Sequence, residues 1–239
     1  MFGTITNDTY IYGTSTSLFE RVTEVRDYDL RFGIQYGFSF RTDHALTFGA
    51  VFSPEKWLRG NTYGEVYDVT NDSQATRLDE KKLLHNAKTP ATYGFGVNYS
   101  WQNRLMAEAD FTYQPWKNVP FASLQGFNDA TGRFDNRWKA NVGFQFQNRQ
   151  RGTWLQRVSY RIGAYYANDY ITVGDNSVRE TGVTFGFGLP APSSKSVANL
   201  SFEYRNRKAS PSPLVKENYF VVTLGINFNE LWFYRNKID

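Results

Sequence analysis

The chain has 239 residues, no cysteine and a formal net charge of +4. Disulfide frameworks and thiolate metal sites are therefore excluded, and the mild, scattered charge makes no case for nucleic acid. Aromatic residues make up 18% of the sequence, yet mean hydropathy is −0.55 and no stretch approaches the ~20 apolar residues of a membrane helix. That pairing fits strands whose apolar and polar faces cancel in any window, as in a transmembrane β-barrel.

Side chains of a strand alternate faces with period 2, and nine segments follow that rule in chain order. The first places Leu30, Phe32, Ile34, Tyr36, Phe38 and Phe40 on one face and Arg31, Gly33, Gln35, Gly37 and Ser39 on the other. A turn at 41–44 leads to Leu46, Phe48, Ala50 and Phe52 against Thr47, Gly49 and Val51. Tyr93, Phe95, Val97, Tyr99 and Trp101 follow. The two-residue connection Gln102-Asn103, of hairpin length, then joins them to Leu105, Ala107, Ala109, Phe111 and Tyr113. Four more apolar rows run from Trp138 to Phe146, Val158 to Tyr166, Val183 to Leu189 and Ala198 to Tyr204. The ninth reads Phe220, Val222, Leu224, Ile226 and Phe228, with Tyr219, Val221, Thr223, Gly225 and Asn227 between them.

The polar rows carry Arg31, Arg104, Glu108, Asp110, Lys139, Arg157, Arg161, Glu203 and Arg205 inside regular strands. Burying these charges unpaired in a dry core costs several kcal/mol each, so the polar face meets water and the nine residues are candidate lumen-lining groups. Connections alternate short (41–44, 102–103, 149–154, 191–195) and long (60–89, 117–136, 169–178, 208–217), which matches the short periplasmic turns and long outer loops of bacterial outer-membrane barrels. On this topology residues 10–26 form an outer loop and residues 2–9 end a tenth strand. The fold class is then all-β, an antiparallel transmembrane β-barrel of about ten strands, in one domain spanning 1–239. Residues 1–6 show no export leader, and the chain is expected to be an N-terminally truncated part of a larger barrel.

Among the charged lumen groups, Arg104, Glu108, Asp110, Arg157 and Arg161 read either as a polar track for a carboxylate or as an inward salt-bridge ladder that stiffens the wall, the ladder being favoured. The lumen glycines Gly33, Gly37, Gly94, Gly96, Gly182, Gly186 and Gly188 read as relief of crowding. Only His44 and His85 could anchor acid–base chemistry. Neither accompanies a nucleophile, so no catalytic, cofactor or metal site is expected. Trp101, Trp138, Tyr160, Tyr166 and Trp232 read as interfacial belts.

Three stretches resemble the FadL/TodX family of outer-membrane transporters. Thr89-Pro90-Ala91-Thr92-Tyr93-Gly94-Phe95-Gly96-Val97-Asn98-Tyr99 is similar to a family strand start, and residues Arg104 to Trp116 resemble the strand that follows. Thr181 to Leu189 and the closing Val222 to Phe228 are similar to its glycine-rich strands. The resemblance implies the C-terminal portion of a 14-stranded barrel, with 10–26 and 60–89 as the loops of a substrate groove. It implies passive uptake of a hydrophobic small molecule, of fatty-acid or aromatic-hydrocarbon type, by a monomer surrounded by lipid and lipopolysaccharide. A structural or secretion-associated scaffold and an aqueous porin are the alternatives.

Overall fold

The computed structural model describes residues 2–11, 17–68, 76–84, 87–117, 119–120, 134–147, 152–173, 176–191, 196–212 and 216–228. It is built from antiparallel strands and one short helix. In chain order these are β1 (Phe2–Ile11), β2 (Ser17–Arg26), β3 (Phe32–Ser39), β4 (His44–Ser53), β5 (Lys56–Trp57), β6 (Gly60–Asp68), β7 (Thr76–Lys82) and β8 (Lys88–Thr89). They continue as β9 (Thr92–Trp101), β10 (Leu105–Gln114), β11 (Arg137–Gln147), α1 (Trp154–Arg157), β12 (Ser159–Val173), β13 (Asn176–Pro190), β14 (Val197–Ser210) and β15 (Lys216–Asn227).

All nine dyad segments form one nine-stranded sheet, in the order β15-β14-β13-β12-β11-β10-β9-β4-β3. The registers keep the two faces separate across every pair. One row of Cα partners runs Tyr36, Phe48, Val97, Ala109, Val142, Ala164, Val183, Tyr204, Phe220, apolar from edge to edge. The adjacent row runs Gln35, Gly49, Gly96, Asp110, Asn141, Tyr165, Gly182, Arg205, Tyr219 on the opposite face. A one-residue slip would exchange those rows, so the alternation itself sets the register. Gln102 and Asn103 take φ of 52° and 51°, the positive values that a type I′ hairpin turn requires at both central positions.

The sheet does not close among the described strands. β3 and β15 are its edges, and every residue of β3 is exposed. The antiparallel all-β architecture is therefore present without the closed barrel.

Three other expectations are corrected. Residues 2–11 and 17–26 are neither a wall strand nor a loop: β1 and β2 join β6 and β7 in a second sheet, ordered β1-β2-β6-β7. The expected long loop 60–89 holds β6, β7 and β8 instead. The expected long loops 169–178 and 208–217 are mostly strand, because β12–β13 and β14–β15 extend to Val173, Asn176, Ser210 and Lys216. Polar residues there pair through their backbones as well as apolar ones do, so the ladder outruns the dyad. His85, the tail 229–239 with Trp232, and most of 117–136 lie outside the described residues.

A small joint ties the two sheets. The Asp27 carboxylate accepts from the Tyr28 N–H at 2.8 Å and the Arg59 N–H at 3.1 Å, and pairs with Lys56 Nζ at 2.8 Å. Burial alone would raise this carboxyl, but Lys56 and the two amides outweigh it and hold it below the usual carboxylate value. Val25, Leu58, Leu83 and Ala87 form the buried cluster beside it. Gly60 has φ +144°, and a Cβ there would collide with the Glu24 carbonyl oxygen, so this turn needs glycine. Further along the same rim Trp116 stacks on Tyr170 with ring centroids 4.5 Å apart. The Asp135 carboxylate accepts from Ser177 at 2.6 Å and Asn168 at 3.3 Å.

Candidate functional site

The polar face of the nine-stranded sheet gathers most of that sheet's charged residues. It is ordered by glycines that leave room for long side chains to lie flat. The Asp110 carboxylate occupies the space where Gly96 would carry a Cβ, the Tyr165 ring does the same over Gly182, and Ser159 and Arg161 do so over Gly188. For these three positions the glycines relieve crowding, as expected. Gly33 and Gly94 make only loose contacts, and Gly49, outside that expected set, faces open space.

At the β13–β15 end the charges are paired. Tyr165 donates to Glu203 Oε1 at 2.7 Å, and Arg205 lies 3.5 Å from Glu203 and 4.0 Å from Glu180. Arg207 reaches Asp169 at 2.8 Å and Glu217 at 3.7 Å. Lys139 Nζ sits 4.3 Å above the Tyr165 ring, and the Arg205 guanidinium 5.1 Å from that of Tyr219, distances at which cation–π attraction operates.

The expected salt-bridge ladder lies elsewhere. Among the described residues no ion pair joins Arg104, Glu108, Asp110, Arg157 and Arg161. Register explains this. Glu108 faces Asn98 and Gly143, and Asp110 faces Gly96 and Asn141, so neither carboxylate has a cation opposite. Among the described residues Glu108 accepts only from Asn98 Nδ2, at 3.4 Å. Arg161 is held by neutral acceptors, Gln145 Oε1 and Asn199 Oδ1, both at 2.7 Å. Arg104 follows the Gln102-Asn103 turn, and Arg157 ends α1 rather than lying in a strand. Arg31 precedes β3 and lies 3.7 Å from Asp29, both largely exposed.

Several residues of the site escaped sequence reasoning. Tyr165 and Arg137 lie on the polar face, where the dyad puts them, but are not among the nine candidate lumen-lining groups. Glu180, Arg207 and Glu217 fall in polar extensions of the strands, beyond the dyad that marks them. Period-2 extrapolation from Gly182, Arg205 and Tyr219 would have found all three. His44 starts β4 with Nδ1 2.7 Å from the Tyr99 hydroxyl and its ring stacked on Phe40, which accounts for it as a packing residue.

The opposite face is apolar and open. Ile34, Leu224, Phe220 and Phe95 are exposed by 73%, 71%, 69% and 62%, far beyond the scattered apolar groups of a soluble surface. The family model for BamG matches residues 1–239, the whole chain. The chain belongs to the BamG family. No curated protein and no solved structure matches it.

Membership in BamG overturns the resemblance to FadL/TodX, and with it the reading of passive uptake of a hydrophobic substrate. The motifs behind that resemblance are short, and strand geometry dictates most of what they contain: alternating apolar residues, glycines beneath long side chains, and rings at strand ends. Such features recur in any sheet with one apolar and one wet face.

Proposed function

We propose that this BamG protein is a non-enzymatic component of the machinery that assembles β-barrel proteins into the bacterial outer membrane. In this reading its nine-stranded sheet is part of a membrane-embedded barrel wall. The observation that carries the first part is the family match over residues 1–239, since the family takes its name from the β-barrel assembly (Bam) machinery. The second part is supported by the continuous apolar row on one face and the charged row on the other, the arrangement of a wall between lipid and water. Trp101, Trp138, Tyr160 and Tyr166 on the apolar face suit the interfacial belts of such a wall.

Strand count adds a constraint. Nine antiparallel strands leave β3 and β15 running in the same direction, so all-antiparallel closure takes an odd number of further strands between them. Long uncharged edges such as β3 (Phe32–Ser39) invite pairing, and a wall of this kind meets that need.

Depletion tests the function. Loss of the protein is expected to lower the amount of folded β-barrel proteins in the outer membrane while inner-membrane proteins stay constant. Unchanged levels of every outer-membrane barrel after full depletion would refute the assignment.

A further inference from the structure

The two ends of the polar face differ. Toward β13–β15 the charges neutralise one another in ion pairs. Toward β4 and β11 pairing is sparse: among the described residues Arg31 reaches only the exposed Asp29, at 3.7 Å, and Asp110 and Arg137 make no ion pair. There the face sinks into a depression of about 490 Å³ lined by Arg31, Gly49, Gly94, Gly96, Asp110 and Arg137 among others. That volume is in the ~300–1,000 Å³ range of ligand sites.

Its floor is bare backbone at Gly49, while the Asp110 carboxylate lies over Gly96. Gly49 and Gly96 are direct partners across β4 and β9. A Cβ on Gly49 would meet nothing within 4 Å, and one on Gly94 only Val51. Steric relief therefore does not explain Gly49. Glycines in strand interiors mark places where a ligand or a second backbone comes close.

The walls supply complementary polar groups. Arg137 spends one N–H on Gln114 Oε1 at 3.2 Å, leaving most of its five donors. Arg31 is two-thirds exposed. Among the described residues no hydrogen bond or ion pair reaches the Asp110 carboxylate. Two guanidiniums favour a carboxylate-bearing occupant. The Asp110 carboxylate in the same depression disfavours a compact multivalent anion such as phosphate but suits a main-chain N–H.

We propose that this depression receives an acidic, extended polypeptide segment of a partner protein, whose side-chain carboxylates bind Arg31 and Arg137 and whose main-chain N–H binds Asp110 beside the open backbone of Gly49. This inference rests on the reading of the chain as an assembly component and names the chemistry of one partner contact.

The test uses the full chain in detergent and a fluorescent synthetic peptide of alternating glutamate and serine, followed by polarisation. Saturable binding is expected, weakened about tenfold or more in the double variant Arg31→Gln/Arg137→Gln, as for charge-assisted pairs. Gly49→Leu, which fills the floor, is expected to weaken it similarly. Arg205→Gln at the paired end should leave it unchanged, and inorganic phosphate should compete poorly. Absent binding, equal affinity in the Arg31/Arg137 variant, or displacement by phosphate at concentrations that match ionic strength controls would each overturn the proposal. Circular dichroism establishes that each variant is folded, and the exposed arginine pair gives an answer even if Gly49→Leu misfolds. Co-purification of the wild-type chain with the assembly machinery, measured in parallel, separates the two claims. If it persists while peptide binding fails, only the peptide site falls. If it is absent while peptide binding holds, the assembly reading falls.

Discussion

Replacing Leu224 with Arg tests the facing of the wall. Leu224 is the midpoint of the five outward residues Phe220, Val222, Leu224, Ile226 and Phe228 on β15, and is 71% exposed. Eight residue steps at ~3.3 Å, tilted ~40°, span roughly 20 Å of membrane depth, which puts Leu224 near the centre. An arginine there costs ~2–4 kcal/mol, a factor of roughly 30 to 700 in the folding equilibrium. Thr223→Arg places the same charge on the polar face, opposite Ser201, and should cost far less. The assay is urea-dependent refolding into phospholipid vesicles, read by gel mobility before and after boiling. Equal destabilisation by the two substitutions, or none from Leu224→Arg, would refute the facing assignment.

Gly60→Ala forces a side chain into the Glu24 carbonyl at a backbone φ of +144°; a loss of ~1–3 kcal/mol is expected, seen as a lower unfolding midpoint. Asp27→Asn removes the ion pair to Lys56, and since the folded Asp27 carboxyl lies below its unfolded value of 3.8, the stability it contributes is present above about pH 4 and is lost as pH falls through the folded value. The gap between wild type and Asp27→Asn, of order 1–3 kcal/mol at pH 7, should therefore close on acidification; a gap that stays constant to pH 2 would contradict the role. Tyr67, whose hydroxyl donates to Glu65 at 3.0 Å, is pushed up to about 12, chiefly by that bond. Glu65→Gln should bring its titration, followed by ultraviolet absorbance, back toward 10; an unchanged titration would show that Glu65 is not the cause.

The nine strands of the large sheet and the split between their two faces were legible because their dyads are long and each face is uniform. The four-stranded sheet was not. Val22 and Thr23, adjacent and on opposite faces of β2, are both buried, and Glu20 stands directly opposite both Asp8 and Glu65, so no apolar alternation marks these strands. Of the candidate site, Glu203 and Arg205 sit in the paired network as inward-facing charges. The partners of the others could not be read from the sequence, because a strand dyad gives the face of a residue and not its neighbour across the ladder. That is why Glu108 and Asp110 lack the arginine neighbours expected for them. Arg157 was misplaced because Trp154–Arg157 turns helical just where the dyad of β12 begins. The family was out of reach for a related reason: strand geometry writes the same short patterns into antiparallel sheets of different families.

A native purification shows whether the chain works with the assembly machinery. The full chain, tagged and extracted from outer membranes in mild detergent, is captured and its companions are identified by mass spectrometry, with in-membrane cross-linking as the control for loss during extraction. The core subunits of the β-barrel assembly machinery are expected in stoichiometric amounts. A chain that purifies alone and cross-links to none of them would contradict the assembly role.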